Sequence, residues 1–427
     1  MTDATTTPID AAAVLVSLAA LFGYFNYRFL RLPHTIGLTI MGALASLAVV
    51  VADALLPGFE PGRVLHRFLR EVDFRAALMD GMLSFLLFAG ALHVDLGELL
   101  RSKWTVFVMA TLGVLISTLM IAIGFEGLSL LLGLDLPFAW CLVFGALISP
   151  TDPVAVLGIL SSARVPPSLE AKVAGESLFN DGIGVVVFSI VLGLAVSGGE
   201  FSFAAAGELF LREAGGGVLL GLVAGGLGYL AMRGVDEHNL EVLVTLAIVM
   251  GGYAVAHHLD VSGPVAMAVA GLLIGNHGVA FAMSESSQRR VLSFWSLLDE
   301  ILNSVLFLLI GLEVVAIALR VEPLVAGVLA IVLVLAARAA SVGLPLAIIG
   351  RVAPFTRGAF PILVWGGLRG GISIALALSL PGGAAKETIL TVTYVIVVFS
   401  VVVQGLTVGR VARRFVHAPD TATPPDA

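Results

Sequence analysis

The stretch 145-GALISPTDPVAVLG-158 decides how this chain folds. It is apolar enough to lie in a membrane, yet it places Pro150, Thr151, Asp152 and Pro153 in succession. Proline has no N–H to give to the carbonyl four residues back. Pro150 therefore frees the carbonyl of Ala146, and Pro153 frees that of Ser149. The residue before a proline is pushed out of the helical region, and here that residue is Asp152. The spacing predicts a helix broken at Thr151–Asp152. Unpaired backbone at membrane depth is tolerated only where it is buried in protein or lines a cavity or ion site. The plainer alternative is a proline-kinked helix with Asp152 near an interface.

The rest of the sequence supplies the membrane. Of 427 residues, 59% are hydrophobic and 12% charged, against about 25% charged in a soluble chain. A spanning helix needs roughly 20 apolar residues. Thirteen segments qualify: 11–30, 34–56, 76–95, 104–124, 136–160, 170–197, 203–232, 240–258, 262–276, 290–318, 323–349, 359–380 and 385–408. The shortest, 262–276, reads as tilted or half-membrane. The 48 glycines cluster inside apolar runs such as 215-GGGVLLGLVAGGLG-228, where they let membrane helices approach closely. Residues 57–75 are too polar to span and read as a loop or interfacial helix. The first ten residues hold no Lys or Arg, so the first apolar run reads as a retained helix rather than a cleaved signal.

Orientation follows from Lys and Arg in the loops. With the N-terminus outside, the inner loops and tail hold fourteen of the 23 basic residues and the outer side seven. The C-terminus is then cytoplasmic, and the tail after 408 reads as short and disordered. The net charge of −7 is mild and points to no nucleic-acid partner. Cys141 is the one cysteine, so no intrachain disulfide forms and no thiolate metal cluster is expected. No G-x-x-x-x-G-K-[ST] loop occurs, so ATP-driven pumping has no support in this chain and no cofactor is expected.

An ionisable side chain at a span centre costs roughly 2.5–3.5 kcal/mol on insertion scales, which makes each one a functional candidate. The sixth span carries 175-GESLFNDGIGVVVF-188. Residues four apart share a helix face, so Ser177 and Asp181 lie on one face, and Glu176 and Asn180 on the neighbouring one. Oxygen ligands of this kind suit hard cations such as sodium. The alternative is a buried polar network that only holds helices together. Arg338, in 334-VLAARAASVG-343, and Arg369, in 365-WGGLRGGIS-373, sit mid-span. A buried Arg needs a partner, and Glu176 is the one expected for Arg338, leaving Asp152 and Asp181 to titrate. Further on, Asp299, Glu300 and Asn303 share one span, and Glu300 with Asn303 lines either an ion path or a helix contact. His257 and His258 read as interfacial, and His93, Asp95 and Glu98 as a helix end. Asp80 lies deeper, with no assigned role.

At 149-SPTDPVAV-156, 175-GESLFND-181 and 367-GLRGGISIALAL-378 the sequence resembles the sodium/proton exchangers of the cation/proton antiporter superfamily, in their prokaryotic NhaP-type branch. The stretch 294-FWSLLDEILNSVLFLLIGLE-313 fits as well, and the resemblance covers nearly the whole chain. It implies an all-α membrane protein of about thirteen spans with inverted repeats, in which two broken helices cross near the bilayer centre. It also implies a homodimer in the plasma membrane, embedded in lipid. Residues 1–103 would be largely scaffold or dimerisation helices, 104–200 and 323–408 the two core repeats, 201–322 linking and dimerisation helices, and 409–427 a short cytoplasmic tail. The resemblance makes Asp181 the essential cation- and proton-carrying carboxylate. Asp152, Ser177 and the carbonyl of Thr151 would be the other sodium ligands. Asn180 would steady the unwound strand, and Glu176, Arg338 and Arg369 would be structural charges. One departure concerns selectivity. Relatives often carry Phe-Glu-Gly-Ala in the third span, whereas this chain reads 88-FAGALHVDL-96 with Ala89 in that place. That ligand is missing, replaced by water, or supplied by Asp80.

The activity implied is exchange of sodium, or lithium, for protons at one carboxylate. A single freely titrating carboxylate beside a neutral Asn suggests one-for-one, electroneutral exchange; Asp152 leaves the count open. A potassium/proton exchanger is the alternative within this class, followed by a cation-coupled solute carrier and a channel. From another class, paired aspartates with Ser177 nearby fit an intramembrane enzyme, although no G-x-S-x-G or H-E-x-x-H sequence occurs.

Overall fold

The computed structural model describes residues 8–55, 62, 65, 68–69, 72, 74–152, 156–158, 160, 165–198, 202–279, 283–316, 320–349 and 358–415. Among these, ten helices are long and apolar enough to cross a membrane. With four shorter helices they give α1 (Ile9–Leu30), α2 (His34–Asp53), α3 (Phe74–Leu92), α4 (Lys103–Leu132), α5 (Phe138–Ile148), α6 (Pro167–Ser197), α7 (Ala204–Met232), α8 (His238–His258), α9 (Gly263–Leu273), α10 (Glu285–Leu312), α11 (Val321–Ile349), α12 (Ala359–Trp365), α13 (Gly371–Leu378) and α14 (Ala384–Phe415).

Three of the thirteen expected spans fall short of a full continuous helix. The span at 136–160 is interrupted after Ile148, and that at 359–380 is divided into α12 and α13. The span at 262–276 is α9, eleven residues long, prolonged by a π-helical turn over Ile274–Gly278. The segment 57–75 falls largely outside the described residues, as do 416–427 of the tail, and α14 runs seven residues past the expected end at 408.

The outer faces of the helices are apolar. Leu21 of α1, Leu131 of α4 and Val332 and Ile348 of α11 are each 60–75% exposed. A soluble monomer does not expose such continuous apolar surface; lipid is the solvent that tolerates it, and the chain is a multi-pass membrane protein. Lipid tails are as apolar as leucine, so close packing rather than water exclusion joins the helices. Small residues make that packing. A Cβ on Gly145 of α5 would sit 2.3 Å from the Thr118 carbonyl oxygen of α4, and one on Gly311 of α10 would sit 2.5 Å from that of Thr39 in α2.

Two groups of helices result. In one, α4 packs on α5 and α11, α6 on α5, and α14 on α11 and α13. Phe125 of α4 and Phe144 of α5 fill its middle, their ring centroids 4.3 Å apart. In the other, α2 packs on α10, α9 on α7 and α3, and α8 against α7, α9 and α10. The groups meet where α6 passes α9, and a Cβ on Gly182 would lie 2.5 Å from Val265 Cγ2.

Candidate functional site

The site forms where two helices stop. Helix α5 ends at Ile148, and Ser149 bends back so that its hydroxyl donates to the Gly145 carbonyl at 2.7 Å. The chain then runs extended, and the Asp152 amide donates to the Leu368 carbonyl at 2.8 Å. This is an isolated antiparallel bridge between the first break and the second, 366-GGLRG-370. The glycines are there for contact distance. A Cβ on Gly370 would fall 2.2 Å from Asp152 Oδ2, and one on Gly367 would fall 2.4 Å from Arg338 Nε.

Breaking helices leaves carbonyls without partners, each costly to bury. Arg369, only 2% exposed, resolves two of them: one guanidinium nitrogen donates to the Ser149 carbonyl at 2.5 Å and to the Pro150 carbonyl at 2.9 Å. Its own backbone N–H donates to Ser400 Oγ at 2.8 Å, and Ser400 donates to Gln404 Oε1 at 2.7 Å. The amide nitrogen of Gln404, Nε2, in turn donates to the Trp365 carbonyl at 3.0 Å. Sequence reading found Arg369 but missed Ser400 and Gln404, which look like ordinary polar residues of an apolar span.

Helix α6 brings four polar side chains to the first break. Asn180 accepts from the Thr151 amide at 3.2 Å and donates to Thr151 Oγ1 at 2.8 Å and to Glu176 Oε1 at 3.2 Å. Ser177 Oγ lies 3.1 Å from Thr151 Oγ1. Arg338 of α11 forks onto both oxygens of Glu176 at 2.5 and 2.7 Å, and it also donates to the Leu363 carbonyl at 3.1 and 3.0 Å. Glu176 and Arg338 are both buried. With three N–H donors on it and a cation beside it, the Glu176 carboxylate is already compensated.

Asp181 is different. It lies one turn along α6 from Ser177, is 4% exposed, and lines a cavity of about 480 Å³. Asp152, Asp299, Asn303, Ser296 and His93 line the same cavity. Ser177 and Thr151 sit behind these two aspartates, in the hydrogen-bonded network of the break. Ala89 also lines the cavity, so the third-span position contributes a methyl group there. The Asp80 side chain falls outside the described residues. The expected path residues separate: Asn303 lines the cavity, but Glu300 is exposed elsewhere on α10 and Asp299 stands in its place. Asp299 and Asn303 are four apart and share a face, whereas Glu300 is turned about 100° away. His93 caps the end of α3 and Asp95 accepts from the Glu98 amide at 3.0 Å to start the next turn of helix, while His257 and His258 close α8.

A second cavity, of about 330 Å³, begins one turn beyond Asp181 along the same helix. Val185, Val186 and Ser189 of α6 line it, facing Arg75, Glu213, His257 and Asp260. The two cavities thus lie on either side of the contact between Gly182 and Val265.

Discontinuous helices crossing beside buried carboxylates, within a multi-pass all-helical protein, define a secondary transporter. The chain belongs to the sodium/hydrogen exchanger family, whose transmembrane model matches residues 16–414. It is 46% identical over 415 residues to the Na(+)/H(+) antiporter NhaP of Pseudomonas aeruginosa, covering 95% of this chain and 96% of that one. It is 34% identical over 388 residues to the Na(+)/H(+) antiporter NhaH of Halobacillus dabanensis, covering 89% and 91%. Its fold is that of the sodium proton antiporter MjNhaP1 from Methanocaldococcus jannaschii at pH 8, with a TM-score of 0.74 at 21% identity over 96% of this chain and 98% of that one. The family is one of transporters, so the intramembrane-enzyme reading falls away.

Proposed function

We propose that this protein exchanges sodium for protons, and that the two compete for the Asp181 carboxylate. The observation that carries the reading is the contrast between two carboxylates on one helix. Glu176 is held by Arg338 and Asn180, whereas Asp181 lines a cavity with Asp152. A carboxylate taken out of water favours whichever cation neutralises it, a proton or a metal ion. Sodium binds through Asp181, Asp152, Ser177 and the carbonyl of Thr151. Oxygen donors alone match a hard monovalent cation. Asn180 holds the Thr151 strand, and Glu176, Arg338 and Arg369 hold the crossing.

Either ligand discharges the site enough for it to cross the low-dielectric barrier, while the empty charged site crosses poorly. Exchange is then obligatory, and with one free carboxylate it is one sodium for one proton. The core repeats, 104–200 and 323–408, move as a body against the remaining helices, so that Asp181 faces first the larger cavity and then the smaller one. The N-terminus lies outside and the C-terminus in the cytoplasm, in the plasma membrane, and the protein works as a homodimer. Sodium is favoured over potassium by the family to which the chain belongs and by the names of its relatives.

The test is reconstitution into vesicles with a pH gradient, followed by sodium, lithium, potassium or no cation. Sodium and lithium should dissipate the gradient, and Asp181→Asn should reduce that flux to the protein-free background while the variant still folds. Wild-type-like exchange in that variant refutes the carboxylate mechanism.

A further inference from the structure

The second break removes a particular hydrogen bond. In an unbroken helix the Arg369 amide would donate to the Trp365 carbonyl, four residues back. Here α12 stops at Trp365, and both groups need other partners. They find them on one turn of α14. Ser400 Oγ accepts from the Arg369 amide at 2.8 Å and donates to Gln404 Oε1 at 2.7 Å, and Gln404 Nε2 donates to the Trp365 carbonyl at 3.0 Å. A hydroxyl has one proton to give, and a carboxamide has one accepting and one donating end. Every donor in this chain therefore points the same way, from Arg369 towards Trp365. The Ser400–Gln404 pair stands in for the missing helical bond.

That turn is itself irregular. Ser400–Gln404 is π-helical, and single π-turns inside α-helices are frequent at functional sites. Both side chains are buried. The first break is held by the same chemistry, since Ser177 and Asn180 of α6 meet Thr151. Each break thus receives a serine and a carboxamide from the helix that follows it in the chain. Leu368 and Arg369 are the residues through which the second break touches the first, at the Asp152 amide and at the Ser149 and Pro150 carbonyls. Whatever fixes the Arg369 backbone fixes these contacts as well.

We propose that Ser400 and Gln404 are positioning residues that set the cation preference of the site at Asp152 and Asp181 from outside it. The pair holds the second break at a fixed width. Without it, the Arg369 amide and the Trp365 carbonyl are free to pair with each other, and α12 then winds on towards α13. Arg369 turns with that winding, and its hold on the Ser149 and Pro150 carbonyls slackens. Neither Ser400 nor Gln404 touches an ion. The inference rests on the cation site proposed above, because only there does a shift of the Ser149–Asp152 strand change an ion's ligands.

The experiment uses the full chain in lipid vesicles, with proton flux titrated against sodium and against lithium. Ser400→Ala and Gln404→Met each interrupt the chain of donors. Each should raise the sodium concentration for half-maximal exchange several-fold and change the ratio of lithium to sodium exchange. Because either change severs the same chain, the double variant should be no worse than the worse single. Thr407→Val removes a neighbouring bond on the same stretch of α14, from Trp365 Nε1 to Thr407 Oγ1 at 2.9 Å, and should leave half-saturation and ratio as they are. Native half-saturation and ratio in both single variants, with only the amount of folded protein falling, overturn the proposal. So does a shift of equal size in Thr407→Val. Should Gln404→Met not fold, Ser400→Ala, which deletes a single oxygen, decides the matter. Asp181→Asn keeps the two readings apart: if it is inactive while Ser400→Ala titrates like the native protein, the cation site stands and the positioning role falls.

Discussion

The amide of Asp152 and the carbonyl of Leu368 share one 2.8 Å hydrogen bond, and through it the two interrupted helices are joined backbone to backbone. The bond places an acidic side chain at the crossing itself. Arg369, the residue after Leu368, reaches back to the Ser149 and Pro150 carbonyls. Each break therefore supplies what the other lacks.

That proximity makes Gly370 the most sensitive small residue of the site. A methyl group there would lie 2.2 Å from Asp152 Oδ2, inside any allowed contact. Gly370→Ala should abolish sodium-dependent proton flux in vesicles. Gly226→Ala, with nothing within 4 Å of the added carbon, should exchange like the native protein.

Glu176 and Arg338 should behave as a structural pair. Removing one partner strands a buried charge, at a cost of about 3–5 kcal/mol. Glu176→Gln and Arg338→Met should each melt well below the native protein in detergent, and the double variant should recover part of the loss. If the double variant melts lower than both singles, the charges matter for something besides each other.

The cavity face of α10 gives a comparison between adjacent residues. Asp299 lines the cavity and Glu300 does not. Asp299→Asn should raise the sodium concentration for half-maximal exchange by several-fold, because a negative lining concentrates cations. Glu300→Gln should leave it unchanged, as titrations of dye-reported flux against sodium will show.

The proposed competition at Asp181 carries a definite sign for the pH dependence. Below the pH at which Asp181 binds its proton, each unit of acidification should raise the apparent sodium requirement by about tenfold, because one proton must leave for each ion bound. Above it, the requirement should level off. A slope near two decades per unit would assign a second titrating carboxylate, with Asp152 the residue to substitute next.

The breaks were legible because proline and glycine act on their own backbone. Pro150, Pro153 and the glycines around Arg369 dictate interrupted helices whatever packs nearby. Helix faces were less legible. The three-residue spacing of Glu300 and Asn303 places them near one another but does not say which side meets the cavity, and Asp299 holds that side. Ser400 and Gln404 were hidden for a related reason. Their value lies in meeting the Arg369 amide from another span, and nothing in the local sequence announces a partner 31 residues away.

Helix α6 runs 31 residues without interruption. Glu176, Ser177, Asn180 and Asp181 therefore ride on a stiff rod, and their mutual spacing cannot be adjusted to suit a larger or smaller guest. In the site proposed above, ion size would be tuned from the opposite wall, the strand from Ser149 to Asp152, whose Ser149 and Pro150 carbonyls Arg369 holds. Preference among alkali metals could thus drift in evolution through residues that never touch the ion.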